Sequence, residues 1–331
     1  MSEKPIRRIL SGMRTSGDLH LGHYFGAIRN YLALQNQYEC FFGIMDWHGM
    51  TTTYKSVAEI PRLNQDMLAE WLAWGLDPTR ATLFVQSEVP ELLQLFMIFA
   101  NLTPMGWLER VPTWKDVEEE AKRTDTHNLG RFSYPVLMAA DIAIYFGEGI
   151  PVGADQVAHL EISREIVRRF NHIYKGQIPE PRPLLTETPS VPGLDGRKMS
   201  KSYSNGFGLS DAPAALAKKI RGMPTDPKRV KREDVGDPDK CNVNTYHKLF
   251  SSESDLQWVR QGCTTAGIGC GDCKGRLVEN IEKLVAEPRE RKKELLNKPQ
   301  ELAAIIADGN AKARVRAGLN LKHIKDWMKL R

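Results

Sequence analysis

Short runs rich in apolar and β-branched residues alternate with longer stretches of helical period over the first two hundred positions. "IRRILSG" near the start, "CFFGIMD" at Cys40 to Asp46 and "TLFVQS" at Thr82 to Ser87 read as strands. Amphipathic stretches follow them at about His20 to Gln35, Ala58 to Gly75 and Glu91 to Leu102. This β-α-β-α rhythm predicts the α/β class, with crossover helices around a doubly wound parallel sheet. Ligands of such sheets sit at the carboxyl ends of the strands. Between Pro104 and Arg131 the chain turns charged and irregular, which marks an insertion or interface segment. The pattern resumes in "FSYPVLMAADIAIY" and "IPVGADQVAHLEISREIVRRF". After Ser202 strand signals give way to Lys- and Arg-rich helical stretches. A boundary near Gly206 is therefore expected, with an α/β domain over 1–205 and a mostly helical domain over 206–331 whose last helix packs back on the first.

Length changes the picture little: 331 residues allow roughly two domains, each with its own core. The net charge of +5 permits a polyanionic partner without requiring one. The start "MSEKPIRRIL" lacks an apolar stretch of signal-peptide length. The longest apolar run, "LFMIFANL" at Leu95 to Leu102, is far below the ~18 residues that span a bilayer. A cytoplasmic protein without membrane contact is expected, with its thiols reduced.

Candidate chemistry begins at the first strand-to-helix turn, "SGMRTSGDLHLGHYFGAI". Glycines punctuate a loop that opens a helix, and helix N-termini attract phosphate. His20 and His23 are three apart and face one side of the first turn. Gly22 between them would let a flat ring lie against the backbone. Two imidazoles there can donate to phosphate oxygens as charge builds up. Two solvent-facing histidines at a helix start are the plainer reading of this motif alone. A zinc pair fits worse, because helical ligand pairs usually stand at i and i+4 with a third ligand.

The second element is "RKMSKS" at Arg197 to Ser202, three cations and two hydroxyls without a β-branched residue. Such a loop is suited to moving and to holding a negative group. "HLGH" resembles the HIGH motif of class I aminoacyl-tRNA synthetases, and "KMSKS" matches that family's second signature, about 180 residues downstream. The resemblance implies a Rossmann-like catalytic domain that binds ATP, with Mg²⁺ bridging its phosphates. It implies that His20, His23, Lys198 and Lys201 stabilise the charge migrating onto pyrophosphate. Nucleotide contacts are implied for Arg14, Thr15, Ser16, Gly22, Val191, Met199, Ser200 and Ser202. The same holds for Gly153, Ala154 and Asp155 at the ribose. A solvated surface lysine is the bland alternative for Lys198.

In "YPVLMAADIAIY", Tyr134, Met138 and Asp141 fall on one helical face. Asp141 lies among apolar neighbours, and a buried carboxylate must meet a donor; an indole N–H is donor-only and would suit it. A salt bridge or cap is the ordinary role for such an aspartate. The stretch nevertheless resembles the recognition helix of tryptophanyl-tRNA synthetases, as does "IPVGADQVAHLE". Tyrosyl relatives carry glutamine at the place of Met138. The resemblance implies L-tryptophan as substrate, with Asp141 accepting from the indole nitrogen. Tyr134 and Gln156 would lie near the ammonium, and Met138, Leu10 and His48 around the ring. His48 also reads as a satisfied core histidine. "LFVQSEVPE", "LERVPTWK" and "KARVRA" extend the likeness over nearly the whole chain, which implies tRNA(Trp) as partner and a homodimer with part of its interface in 104–131. The chain leaves no room for an editing domain, which suits a substrate read by a hydrogen bond to a buried group.

Cys241, Cys263, Cys270 and Cys273 are separated by 21, 6 and 2 residues. Four thiols ending in C-x-x-C in a reduced compartment suggest metal ligation. One knuckle instead of two disfavours a zinc ribbon, and iron–sulfur clusters tolerate isolated ligands. A subset of bacterial tryptophanyl synthetases resembles this pattern, which implies a [4Fe–4S] cluster, with zinc or free thiols as the alternatives. Cys40 reads as a small buried hydrophobe. Lys218, Lys219, Arg221, Lys228, Arg229, Lys231 and Arg232 form either a solvated face or a set of tRNA phosphate contacts.

Overall fold

The computed structural model describes residues 6–15, 17–111, 118, 121, 124–153, 157–185, 191–197, 199 and 205–330. Five strands, β1 (Arg8–Arg14), β2 (Glu39–Met45), β3 (Ala81–Val85), β4 (Gly149–Val152) and β5 (Arg182–Leu185), form one parallel sheet in the order β3-β2-β1-β4-β5. The expected doubly wound α/β architecture is therefore present. β1 is central, and the order reverses between β1 and β4, so the ligand crevice of this topology opens at their carboxyl ends. β2 is buried from Cys40 to Met45 and reads as a continuous apolar run, as a strand covered on both faces should.

The longer helices of the first unit are Asp46–Thr53 (α1), Ile60–Ala73 (α2), Glu91–Leu102 (α3), Leu129–Ile144 (α4), Val157–Tyr174 (α5) and the C-terminal Pro299–Met328 (α6). Chain contacts group residues 1–17, 29–187 and 295–331 in one compact unit, and 18–28 and 188–294 in a second. The single boundary expected near Gly206 thus falls inside the second unit. The last helix belongs to the first unit. Its Ala313, Ala317, Leu321 and Ile324 enter the same buried cluster as Leu10, Phe41, Phe84 and Phe99. A Cβ on Gly309 would stand 1.7 Å from the Leu83 carbonyl oxygen, so only glycine allows this approach to β3. One position on, Asn310 Oδ1 accepts from the Val85 amide at 2.8 Å.

The second unit begins with Leu21–His23, which runs into a π-helical turn at Tyr24–Ile28, a geometry common at functional sites. Helices Pro213–Arg221 (α7), Asn242–Phe250 (α8), Glu253–Thr264 (α9) and Cys270–Leu296 (α10) make up the rest. Among the described residues, no helix is long and apolar enough to cross a membrane.

Candidate active site

In the first unit, two of the expected tryptophan-site residues, Asp141 and His48, meet where the chain leaves the carboxyl end of β2. Asp141, 3% exposed on α4, has its Oδ2 2.8 Å from His48 Nε2 and its Oδ1 2.8 Å from Gln86 Nε2. The sequence calls for a donor to this buried carboxylate, and the structure supplies two. His48 comes from α1, just after β2, and Gln86 follows β3 directly. Burying a carboxylate without donors is costly, and this pairing removes most of that cost. Each oxygen keeps a second lone-pair direction, so the carboxylate can accept one more donor. Leu10 is buried in β1, and Met138 is half-buried against the core. The Tyr134 hydroxyl is hydrogen-bonded to His159 Nε2, and its ring centroid is 6.5 Å from that of His48.

Gln86 and His159 escaped the sequence reading as site residues. The place of Gln86, at the end of a parallel strand, is the signal that would have found it. Asp46 next to it is also buried, and its carboxylate accepts from the Ser87 amide at 2.9 Å and from the Ser87 hydroxyl at 2.5 Å. This ties the start of α1 to the segment that carries Gln86.

Of the expected nucleotide contacts, Arg14 ends β1 and Gly153 follows β4, at the two strands that flank the order reversal. Arg14 Nη2 donates to Thr52 Oγ1 at 2.9 Å, and the Thr15 hydroxyl donates to Asn64 at 2.9 Å. Loss of solvent around Arg14, and then the neighbouring Arg131 guanidinium, push its pKa below the usual value. Two cations near one point favour an anion there.

In the second unit, the HLGH turn has a defined proton pattern. His20 Nδ1 accepts from the Gly22 amide at 3.1 Å, and His23 Nδ1 accepts from the His20 amide at 3.0 Å. A ring nitrogen that accepts carries no proton, so each neutral imidazole places its proton on Nε2 and acts there as a donor. The two rings lie 3.9 Å apart between centroids. Gly22 has little room to spare: a Cβ would be 2.9 Å from His20 Cε1 and 3.8 Å from the sulfur of Met199. Met199, from the KMSKS segment, thus packs on the HLGH glycine, and also on Gly206 at 3.2 Å from its virtual Cβ. The two signature segments meet within one unit. Val191 precedes Pro192 at the start of this loop. Ser16, Ala154, Asp155, Gln156, Lys198, Ser200, Lys201 and Ser202 lie outside the described residues.

The four cysteines also converge. Cys241 caps α8, Cys263 lies on α9, and Cys270 and Cys273 open α10; all four line one cavity of about 20 Å³ with Arg229 and Asn244. Burial, then the neighbouring Cys241, Cys263 and Cys270, push the Cys273 thiol up to about 12. Thiols that resist ionising together are suited to a cation that takes the charge. Among the described residues, no three His, Cys, Asp or Glu side chains stand in metal-holding geometry as placed, so the expected [4Fe–4S] cluster has no support here. His247 beside Cys273 has both ring nitrogens engaged, by Ser251 at 2.7 Å and by the Cys273 carbonyl at 3.1 Å. In the basic run, Arg229 is buried and donates to the Arg232 and Ile268 carbonyls, and Lys219 pairs with Asp211 at 2.7 Å. Arg229 is therefore a structural cation, whereas Lys218, Arg221, Lys228, Lys231 and Arg232 are exposed.

Comparison with known proteins agrees with this geometry. Residues 1–286 match the family described as tRNA synthetases class I (W and Y). A tryptophan–tRNA ligase of Thermotoga maritima is 44% identical, covering 98% of this chain and 99% of its own length. One from Deinococcus radiodurans is 40% identical over 94% of this chain and 95% of its own. The tryptophanyl-tRNA synthetase of Campylobacter jejuni, solved with ADP and tryptophan, superposes with a TM-score of 0.88 at 36% identity, covering 98% of this chain and all of that one. By its match to the family model over most of its length and to full-length relatives, this chain belongs to the class I tRNA synthetases of the tryptophan and tyrosine group.

Proposed function

We propose that this protein is a tryptophan–tRNA ligase that activates L-tryptophan with ATP and esterifies tRNA(Trp). The buried Asp141 carboxylate carries the choice of amino acid, since it is fixed by His48 and Gln86 and its oxygens keep lone pairs for one more donor. An indole N–H supplies that donor, with Met138, Leu10 and His48 around the ring and Tyr134 and Gln156 toward the ammonium. A site built to hydrogen-bond a buried group rejects analogues that lack it by ~10⁴ or more.

In the first step, a carboxylate oxygen of tryptophan attacks the α-phosphorus of ATP. The bond to the bridging oxygen breaks, and pyrophosphate leaves; a magnesium ion on the nucleotide would offset its charge. His20 and His23 donate from Nε2 to phosphate oxygens, a role that their backbone-bonded Nδ1 atoms support. Lys198 and Lys201 neutralise the departing charge. Ser200, Ser202 and Met199 belong to the same loop, Arg14, Thr15, Ser16, Gly22 and Val191 contact the nucleotide, and Gly153, Ala154 and Asp155 border its ribose. In the second step, a terminal ribose hydroxyl of the tRNA attacks the carbonyl carbon, and AMP leaves. No covalent enzyme intermediate is required.

Cys241, Cys263, Cys270 and Cys273 would hold a metal centre, which would brace the second unit where it meets the tRNA anticodon. An absorption spectrum of anaerobically purified protein separates the two candidates: a shoulder near about 400 nm marks iron–sulfur, and a colourless zinc-containing sample marks zinc. We place the protein in the cytoplasm as a homodimer. The exposed Leu93 and Met97 on one face of α3, with Met105 and Leu129, support an interface that includes part of 104–131. Charging of tRNA(Trp) with labelled tryptophan tests the whole reading, and no charging with either tryptophan or tyrosine would refute it.

A further inference from the structure

The helix that starts at the cysteines also holds the base of the KMSKS loop. Asn242 Nδ2 donates to the Gly193 carbonyl at 3.0 Å and to the Leu194 carbonyl at 3.1 Å. Tyr246, four residues on and fully buried, donates from its hydroxyl to the Pro192 carbonyl at 2.7 Å. Positions i and i+4 share one face of a helix, so the face of α8 that bears Asn242 and Tyr246 is turned to Pro192–Leu194. The other side of its first turn belongs to the cysteine cavity, which Cys241, Val243 and Asn244 line.

The held segment is the root of the signature loop. Asp195 joins its two ends: one carboxylate oxygen accepts from the Arg197 amide at 3.0 Å and from Asn205 Nδ2 at 2.8 Å. The loop closes further through Gly193 N to Arg197 O and Leu194 N to Asn205 O, both at 2.6 Å. Gly196 turns the chain at φ +84°, and a Cβ there would touch Asn242 at 3.9 Å. Tyr246 is close enough to Asp195 that the two charges would oppose each other; burial first, and then Asp195, raise its phenol above the usual value.

We propose that α8 is a strut through which the four-cysteine centre positions the KMSKS loop, with Asn242 and Tyr246 as its positioning residues. Cys241 sits at the strut's end, one peptide bond from Asn242. Cys241, Cys263, Cys270 and Cys273 would hold a metal, and ligation of Cys241 would fix the first turn of α8, so that the carbonyls of Pro192, Gly193 and Leu194 keep their donors. When Cys241 is released, the cap and the first turn loosen and the loop root loses its anchor. Loss of this anchor would act on activation, a step that takes place before any tRNA is charged. This rests on the loop having its proposed role in ATP use, whereas the physical coupling does not.

Hydrogen exchange of the full-length protein without substrates reads the coupling directly. In Asn242→Ala and Tyr246→Phe, amides within 193–197 and 205–207 exchange about fivefold to tenfold faster, since one or two carbonyl anchors are lost. In Cys241→Ser, where Asn242 and Tyr246 remain, the same amides exchange faster and those of α2 and α4 in the first unit do not. Tyr246→Phe also raises the KM for ATP in pyrophosphate exchange about fivefold, while the Kd for tryptophan alone stays as in the unaltered protein. Unchanged loop exchange in Tyr246→Phe and Asn242→Ala overturns the positioning role. Faster loop exchange in those two but not in Cys241→Ser overturns the coupling to the cysteines. If loop exchange responds but the unaltered protein has no pyrophosphate exchange, the strut stands as a mechanical link and the functional reading falls.

Discussion

His48 Nε2 and Asp141 Oδ2 stand 2.8 Å apart, in a pair that joins residues 93 positions apart in the chain. With Gln86 on the other oxygen, the pair turns a carboxylate on an apolar helix into a fixed acceptor. Replacing it tests the proposed tryptophan site. Asp141→Asn keeps the volume but exchanges half of the acceptor for a donor facing Gln86 or His48. The KM for tryptophan in pyrophosphate exchange should rise about 10–100-fold, from the loss of one charge-assisted hydrogen bond. Gln86→Ala should cost about tenfold, because the acceptor remains but one of its holders is gone.

The HLGH tautomer pattern makes a kinetic prediction. His23→Ala removes a donor aimed by the His20 amide and should lower the rate of pyrophosphate exchange about 10²–10³-fold, the scale of one lost transition-state donor. The affinity for tryptophan, measured alone by fluorescence titration, should not change. Weaker tryptophan binding with a normal rate would contradict the assignment.

Gly309 provides a test of the fold. Its virtual Cβ meets the Leu83 carbonyl at 1.7 Å, and backbone cannot swing aside as a flexible side chain can. Gly309→Ala should destabilise the protein by at least about 3 kcal/mol in denaturant unfolding, although alanine is the better helix former. The neighbouring Gly318, where nothing lies within 4 Å of a virtual Cβ, should accept alanine with a small gain.

Much of this was legible in advance. The three N-terminal strands and the helices after β2 and β3 follow from apolar periodicity. β5 does not, because "RPLL" is four residues long, carries a proline and ends exposed. Asp141 stood out as a charge in an apolar helix. Gln86 did not, since a neutral amide at a strand end breaks no pattern, and only the strand order reveals that it faces Asp141. The return of α6 to the sheet leaves a trace in Gly309, Ala313 and Ala317, small residues four apart where a helix comes close. The cysteines could be grouped by spacing, but their partner metal depends on distances that spacing does not set. Arg229 counted as one more surface cation in the sequence, and only its burial assigns it to the framework.

Asp255 gives a pH dependence. Asn280, then Ser252 and the charge of Arg276, hold its carboxyl below the usual carboxylate range. A pKa depressed by folding contributes stability above the unfolded value of about 3.9, and that contribution is lost as pH falls through the lower folded value. Asp255→Asn should therefore lower the Tm at pH 7, and the difference from the unaltered protein should shrink below about pH 4. A difference that stays constant down to pH 3 would contradict this.

Amino-acid-dependent exchange of labelled pyrophosphate into ATP, run side by side with tryptophan and with tyrosine, tests the central claim most directly. Tryptophan should support rapid exchange, and tyrosine at the same concentration should leave the rate at background. Exchange with tyrosine and not with tryptophan, or with neither, would contradict the account.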